Sequence, residues 1–292
     1  MPLEAFGSTD VGRRRKLNED NFLVKPETNL YAVCDGMGGH NAGEVASKMA
    51  IETLEAFIRK SAGEEKDITW PYGLEAHLSF EANRLKTAVK LANKKVFKSA
   101  DNREDYTGMG TTLVAAIVSG KVVTIGSAGD SRAYLFRRGE LKQLTRDDSW
   151  VSAAWAEGIL THDEIDRHPL RNVITKAVGA KEEIELDTVE HQLVKGDVIM
   201  LCSDGLHAMM NDQEILRVVT PFPATLEKAA LALIDAANEA GGKDNVTVVL
   251  VRYTEGEGVM PRPPAADRTV VTDSPLILGQ TVVIKPPDTD PE

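Results

Sequence analysis

Four carboxylates stand at the ends of apolar runs, each beside glycine or another small residue. The run Leu30 to Cys34 stops at Asp35, and Gly36, Gly38 and Gly39 follow before Asn41 opens an amphipathic stretch. Val198 to Cys202 leads through Ser203 to Asp204 and Gly205, and Val122 to Ala128 leads through Gly129 to Asp130. Asp244 lies just ahead of the run Val246 to Val251. A carboxylate at the end of a stiff strand has little freedom to move. Glycine beside it lets the backbone approach a ligand closely and turn a carbonyl inward. Oxygen donors held this way suit a hard divalent cation. Any one of them is also an ordinary Asp-Gly turn. Recurrence in four distant segments is what points to a single oxygen-lined metal site.

Composition narrows the function classes. The net charge of −11 argues against a polyanion-binding surface, so nucleic acid is not an expected partner. An acidic chain that handles phosphate must neutralise it locally, with metal or a few arginines. The 42% hydrophobic and 27% charged residues are ordinary for a soluble globular protein. Cys34 and Cys202 each lie inside an apolar run and read as buried small hydrophobes rather than a disulfide or redox pair. No signal peptide is read at the start, and no apolar run reaches the roughly 18–20 residues that span a bilayer. A cytoplasmic monomer without membrane contact is expected.

The elements that must position these acids follow from hydrophobic periodicity. Asn21 to Val24 and Leu30 to Cys34 read as strands paired across the Pro26–Asn29 turn. Val45, Met49, Ala50, Leu54 and Phe57 predict a helix over 42–59, and Leu78 to Val96 predict a second long one. Residues 99–109 read as a charged loop. Runs at 110–118, 121–128, 132–136 and 140–144 are separated by short turns and predict a four-stranded antiparallel meander. Further strands are predicted at 189–194, 197–202 and 245–253, with helices at 212–219 and around 226–237. Short helices are expected within 147–170. Hairpins dominate over strand–helix alternation, so the fold class is α+β: antiparallel sheets covered by helices. After Tyr253 the composition shifts, and 255–292 holds seven of the thirteen prolines. A folded domain over 1–254 and a Pro-rich, disordered tail over 255–292 are expected.

Six motifs stand in the order and rough spacing of a known family: Arg15-Lys-Leu-Asn-Glu-Asp20, Asp35-Gly-Met-Gly-Gly-His40, Gly110-Thr-Thr, Gly129-Asp130-Ser-Arg132, Cys202-Ser-Asp204-Gly205 and Gly242-Lys-Asp244-Asn245. The chain resembles the metal-dependent serine/threonine protein phosphatases, the type 2C enzymes, and is most like the bacterial single-domain members. The resemblance covers about residues 4–253. It implies two antiparallel sheets packed as a sandwich with helix pairs outside, a four-layer αββα arrangement. It also implies a centre of two Mn²⁺ or Mg²⁺ ions, with a third, weaker one in bacterial relatives. By motif, Asp35 looks like the carboxylate bridging both ions, with Gly36 offering its carbonyl to one. Asp204 and Asp244 would hold the other, and Asp20 would act through bound water. Asp130, with Asp204, matches the ligand of the third ion. No nucleophilic side chain is needed, because an ion-activated water attacks phosphorus directly with no phosphoenzyme. Arg15 stands at the family's phosphate-binding arginine, whose planar fork suits two phosphate oxygens. Arg13, Arg14 and Lys16 read as a solvated basic turn. His40 matches a group that could protonate the leaving oxygen, and is equally read as a polar helix-start residue.

The implied substrates are phosphoserine and phosphothreonine proteins, with a partner Ser/Thr kinase whose work the enzyme reverses. Two departures stand out. Asp147-Asp148-Ser149 replaces the Asp-His-Ser of many relatives and is expected to alter the edge of the 147–170 flap more than the chemistry. Glu19 stands where many bacterial members have Gln, and could serve as an outer-shell group. A two-metal phosphodiesterase or nuclease would recruit more His ligands. An inert phosphoprotein-binding module would have lost Asp35, Asp204 or Asp244. In the tail, Thr269-Val-Val-Thr272 and Thr281-Val-Val-Ile284 resemble what forkhead-associated domains read on phosphothreonine, though a plain solvated tail accounts for them as well.

Overall fold

The computed structural model describes residues 3–39, 42–62, 70–165, 167–221 and 225–254. In chain order these form β1 Leu3–Asp10, β2 Asp20–Lys25, β3 Leu30–Met37, α1 Ala42–Lys60, α2 Phe80–Asp101, β4 Gly110–Thr111, β5 Leu113–Ser119, β6 Val122–Ala128, β7 Arg132–Arg137, β8 Glu140–Gln143, α3 Trp150–Ala156, α4 His162–Ile165, β9 Asp187–Gln192, β10 Val198–Cys202, α5 Asp204–His207, α6 Asp212–Val219, α7 Leu226–Glu239 and β11 Val246–Tyr253. The strands make two antiparallel sheets. One runs β1-β11-β10-β7-β8, the other β2-β3-β5-β6-β9 with β4 paired to β3.

Alternation along the strands builds the layers. Leu30, Ala32 and Cys34 of β3, with Leu113, Ala115 and Ile117 of β5, face α1 and α2. Tyr31, Val33, Val114 and Ala116 point the other way, against Ile199, Leu201, Val249 and Val251 of the facing sheet. Met200, Cys202, Val248 and Leu250 turn outward again under Leu206, Ile215, Ala230 and Leu233 of the helices. Each central strand is thus buried on both faces, and the two faces alternate at period two. The result is the expected α+β sandwich flanked by helices. Both cysteines are free and buried, one in each outer layer.

Polar side chains finish the helix ends. Asn211 and Glu214 form a reciprocal capping box at the start of α6. Arg84 of α2 donates to the Ile58 carbonyl at 2.5 Å and to Ser61 Oγ at 2.9 Å, closing the C-terminus of α1.

Three expectations change. The four strands over 110–144 are not one meander. β5 and β6 pair in one sheet, whereas β7 and β8 pair in the other, because the chain crosses between sheets at Gly129-Asp130-Ser131. The run 110–118 is broken at Thr112, which leaves the ladder to bond Asp35. Finally, α2 runs on to Asp101, and a turn of 3₁₀ helix at Glu104–Tyr106 stands within the expected loop. His40 and the tail 255–292, with its two threonine motifs, lie outside the described residues.

Candidate metal centre

Strand register carries the acids to one end of the sandwich. Asp20 and Asp35 are direct partners across β2 and β3. Cys202 pairs with Arg132 of β7 on one side and Val248 of β11 on the other. Just beyond those ladder ends Asp204 and Asp130 reach one cleft, joined by Asp244 from the loop before β11. Asp35, Asp130, Asp204, Asp244, Gly36, Arg15 and Glu19 line one cleft of about 190 Å³, with Thr112, Asn172 and Ile174 on its walls. A larger groove of about 570 Å³ between α1 and α2 is walled by Phe57, Leu91 and lysines, with no carboxylate among the described residues that line it.

Backbone contacts fix the acids before any ligand arrives. Thr112 Oγ1 accepts from Asp35 N–H at 3.0 Å, and Thr112 N–H donates to Asp35 O at 2.8 Å. Asp20 is 5% exposed, and Ser203 and Thr247 donate to its Oδ2 at 2.8 and 2.6 Å. Asn245 staples the loop between β1 and β2. Its Nδ2 donates to Val11 O and Leu17 O at 2.9 Å each, and its Oδ1 accepts from Glu19 N–H at 2.8 Å. Gly36 permits a close approach, since a Cβ there would lie 2.1 Å from Gly43 O, and Gly205 another, 1.9 Å from Asn245 O. Arg15, half exposed at the rim, donates to Asp244 Oδ2 at 2.5 Å, while Arg13, Arg14 and Lys16 are exposed.

The electrostatics are those of crowded like charges. Burial, then Asp204 and Asp244, push Asp20 up to about 7 against its hydroxyl donors. Burial and four neighbouring aspartates hold Asp35 well above the usual carboxylate range. Burial and Asp204 raise Asp130 to about 7, and burial with Asp244 raises Asp204. His207 is pushed down to about 3 by burial and Arg132, so its neutral Nε2–H donates to Asp130 O at 3.0 Å.

Among the described residues no group of three His, Cys, Asp or Glu side chains already closes into an ion cage. The donor chemistry nevertheless fits a hard cation. Among the described residues Asp20 Oδ1, Asp204 Oδ1 and Glu19 Oε1 are buried without a hydrogen-bond partner, and the carboxylates and the Gly36 carbonyl at the cleft offer oxygen donors. Cations would relieve both the orphaned oxygens and the repulsion.

A stability consequence follows. A carboxyl whose folded pKa is raised contributes stability fully present below its unfolded value and lost as pH rises through its folded value. For Asp20 and Asp130 that window runs from 3.8 to about 7. The ion-free protein is expected to lose Tm across it, and Mn²⁺ to restore Tm at its upper end. Scanning calorimetry with and without chelator checks both, and a Tm that climbs through the window would refute the crowding.

Six predicted residues, Asp35, Gly36, Asp130, Asp204, Asp244 and Arg15, line this cleft, and Asp20 stands behind it. Thr112, Ser203, Thr247, Asn245 and His207 were not singled out by sequence. Thr112, Ser203 and Asn245 sit inside the motifs quoted above and His207 and Thr247 two residues past them, which was the available signal.

Comparison with known proteins agrees with this architecture. Residues 12–237 match the family model described as protein phosphatase 2C. The serine/threonine phosphatase stp of Listeria monocytogenes is 36% identical over 249 residues, covering 83% of this chain and 93% of that protein. A crystal structure of the Mycobacterium tuberculosis serine/threonine phosphatase PstP/Ppp superposes with a TM-score of 0.75 at 35% identity, covering 87% of this chain and 99% of that one. The catalytic domain of PstP in complex with two manganese ions gives a TM-score of 0.73 at 33% identity, with coverages of 87% and 99%. With the fold, the order of its acids and these likenesses in agreement, the chain belongs to the protein phosphatase 2C family.

Proposed function

We propose that the protein is a metal-dependent serine/threonine phosphoprotein phosphatase working opposite a partner Ser/Thr kinase. The observation that carries this reading is the convergence of five aspartates from separate segments on one end of the sandwich, with a guanidinium at the rim. Asp35, Asp204, Asp244 and the Gly36 carbonyl would hold two Mn²⁺ or Mg²⁺ ions. Asp20 would act through water, and Asp130 with Asp204 would hold a third. Bound, such ions supply Lewis-acid polarisation of the phosphoryl group and an acidified water for in-line attack. Arg15 reaches the rim on a loop stapled by Asn245, where its fork can take phosphate oxygens once Asp244 turns to an ion. The buried hydroxyls of Ser203 and Thr247 keep Asp20 oriented. The domain boundary is placed after residue 254, with the tail beyond the catalytic unit.

The test is release of phosphate from a phosphothreonine peptide with Mn²⁺, abolished by chelator. Chelator-insensitive turnover would refute metal dependence. Arg15→Ala is expected to raise KM for that peptide about tenfold with little loss of kcat, because phosphate is held alike in ground and transition states. It also removes a cation competing for Asp244, so Mn²⁺ binding should be no weaker. Steady-state kinetics with a parallel Mn²⁺ titration checks both parts.

A further inference from the structure

Asp147 and Asp148 do more than shape the edge of the flap. They clasp the loop carrying Asp130 from both ends. Asp147 holds the Arg132 guanidinium by two prongs, Nε to Oδ1 at 2.9 Å and Nη2 to Oδ2 at 2.7 Å. Asp148 Oδ2 accepts from Gly129 N–H at 3.1 Å, and its own N–H donates to Gly129 O at 2.8 Å. Lys176 braces Asp148 at 3.0 Å on Oδ1, and also pairs with Asp187 of β9 at 2.6 Å. Asp148 O accepts from Thr175 N–H at 2.7 Å, so both arms of the 148–176 segment meet here.

The loop has little slack to absorb a change at this point. Gly129 sits at φ +106°, and a Cβ there would lie 2.8 Å from the Thr112 side chain. Thr112 Oγ1 and Ser131 Oγ are 2.7 Å apart, and His207 holds Asp130 O. The Gly129 N–H that Asp148 grips is one residue from the Asp130 carboxylate. Release of that N–H leaves it without its carboxylate acceptor and frees the approach to Asp130.

We propose that Asp148, braced by Lys176, is a positioning residue that aims the Asp130 carboxylate at the most weakly held ion and ties the flap segment to that site. This rests on the assignment of Asp130 made above. Removing such an outer partner costs about 10–100-fold in metal affinity.

The experiment titrates the full chain with Mn²⁺, following free ion by electron paramagnetic resonance. Tm is measured alongside, as are kcat and KM on a phosphothreonine peptide. Wild type, Asp148→Ala, Asp148→Asn and Asp187→Asn are compared. Asp148→Ala is expected to weaken the loosest class of ion about 10–100-fold while the tighter ions stay within about twofold. Asp148→Asn keeps an oxygen for Gly129 N–H and is expected to recover more than half of that loss on a logarithmic scale. Asp187→Asn, on an exposed side chain, should match wild type. If Asp148→Ala leaves the loose class unchanged, or if Asn is as deficient as Ala, Asp148 is only a structural pin and the proposal falls. A wild type with tight ions but no loose class overturns this inference and the role of Asp130, and leaves the two-ion reading standing. A wild type that binds no Mn²⁺ overturns the two-ion reading itself.

Discussion

Asp35→Ala and Asp204→Ala are each expected to lower kcat on a phosphothreonine peptide by at least about a thousandfold at saturating Mn²⁺. Asp35 is held at its backbone by Thr112 and presents its carboxyl to Asp20, Asp130, Asp204 and Asp244. Asp204 brings a buried, unpartnered oxygen to the same place. On the proposed assignment, loss of either carboxylate would leave an ion under-coordinated and the attacking water misplaced. The same change removes one charge from a cluster of repelling acids. The ion-free variants should therefore melt at or above the wild-type Tm at neutral pH, which separates lost chemistry from lost fold. Steady-state kinetics and calorimetry on the same preparations check the pair of outcomes. Near-normal turnover in either variant would contradict the assignment.

Gly36→Val is expected to destabilise the fold by about 3 kcal/mol or more and to abolish tight Mn²⁺ binding. The new Cβ would lie 2.1 Å from Gly43 O and 2.7 Å from Glu19 O. Both are backbone atoms, so no rotamer change relieves the clash. Either β3 moves off the start of α1, or the Gly36 N–H bond to Glu19 O at 3.1 Å breaks. Each outcome displaces Asp35, the adjacent residue. Gly39→Ala is the control, because a Cβ there meets nothing within 4 Å among the described residues. Urea denaturation and ion titration of the two variants should separate them clearly. A stable, ion-binding Gly36→Val would show that the close approach is not required.

The acids were legible in sequence because strand and turn chemistry mark them locally. An apolar run that stops at Asp35 or leads through Ser203 to Asp204 reports a strand end, and the register of β2 with β3 follows from the Pro26–Asn29 turn. Helices α1, α6 and α7 were legible for a similar reason, since their apolar faces recur at helical spacing. The crossing between sheets at Asp130 was not legible. Period-two alternation says that a strand has two faces, not which sheet it joins, and the turn after Ala128 looks like any hairpin turn. Thr112 was hidden because one threonine inside an apolar run reads as strand, while its bonds to Asp35 leave it outside the ladder. The grip of Asp148 on Gly129 spans 19 residues and leaves no periodic trace. Its sequence signal was the departure from the relatives' pattern, and only the fold says what that departure touches.

The most direct measurement of the central claim is anomalous diffraction from crystals of this chain grown with Mn²⁺. Two strong peaks are expected in the cleft, both against Asp35, one shared with Asp204 and Asp244, with Arg15 turned away from Asp244. A weaker peak is expected beside Asp130. A cleft without anomalous density at saturating Mn²⁺, with Arg15 still on Asp244, would contradict the account.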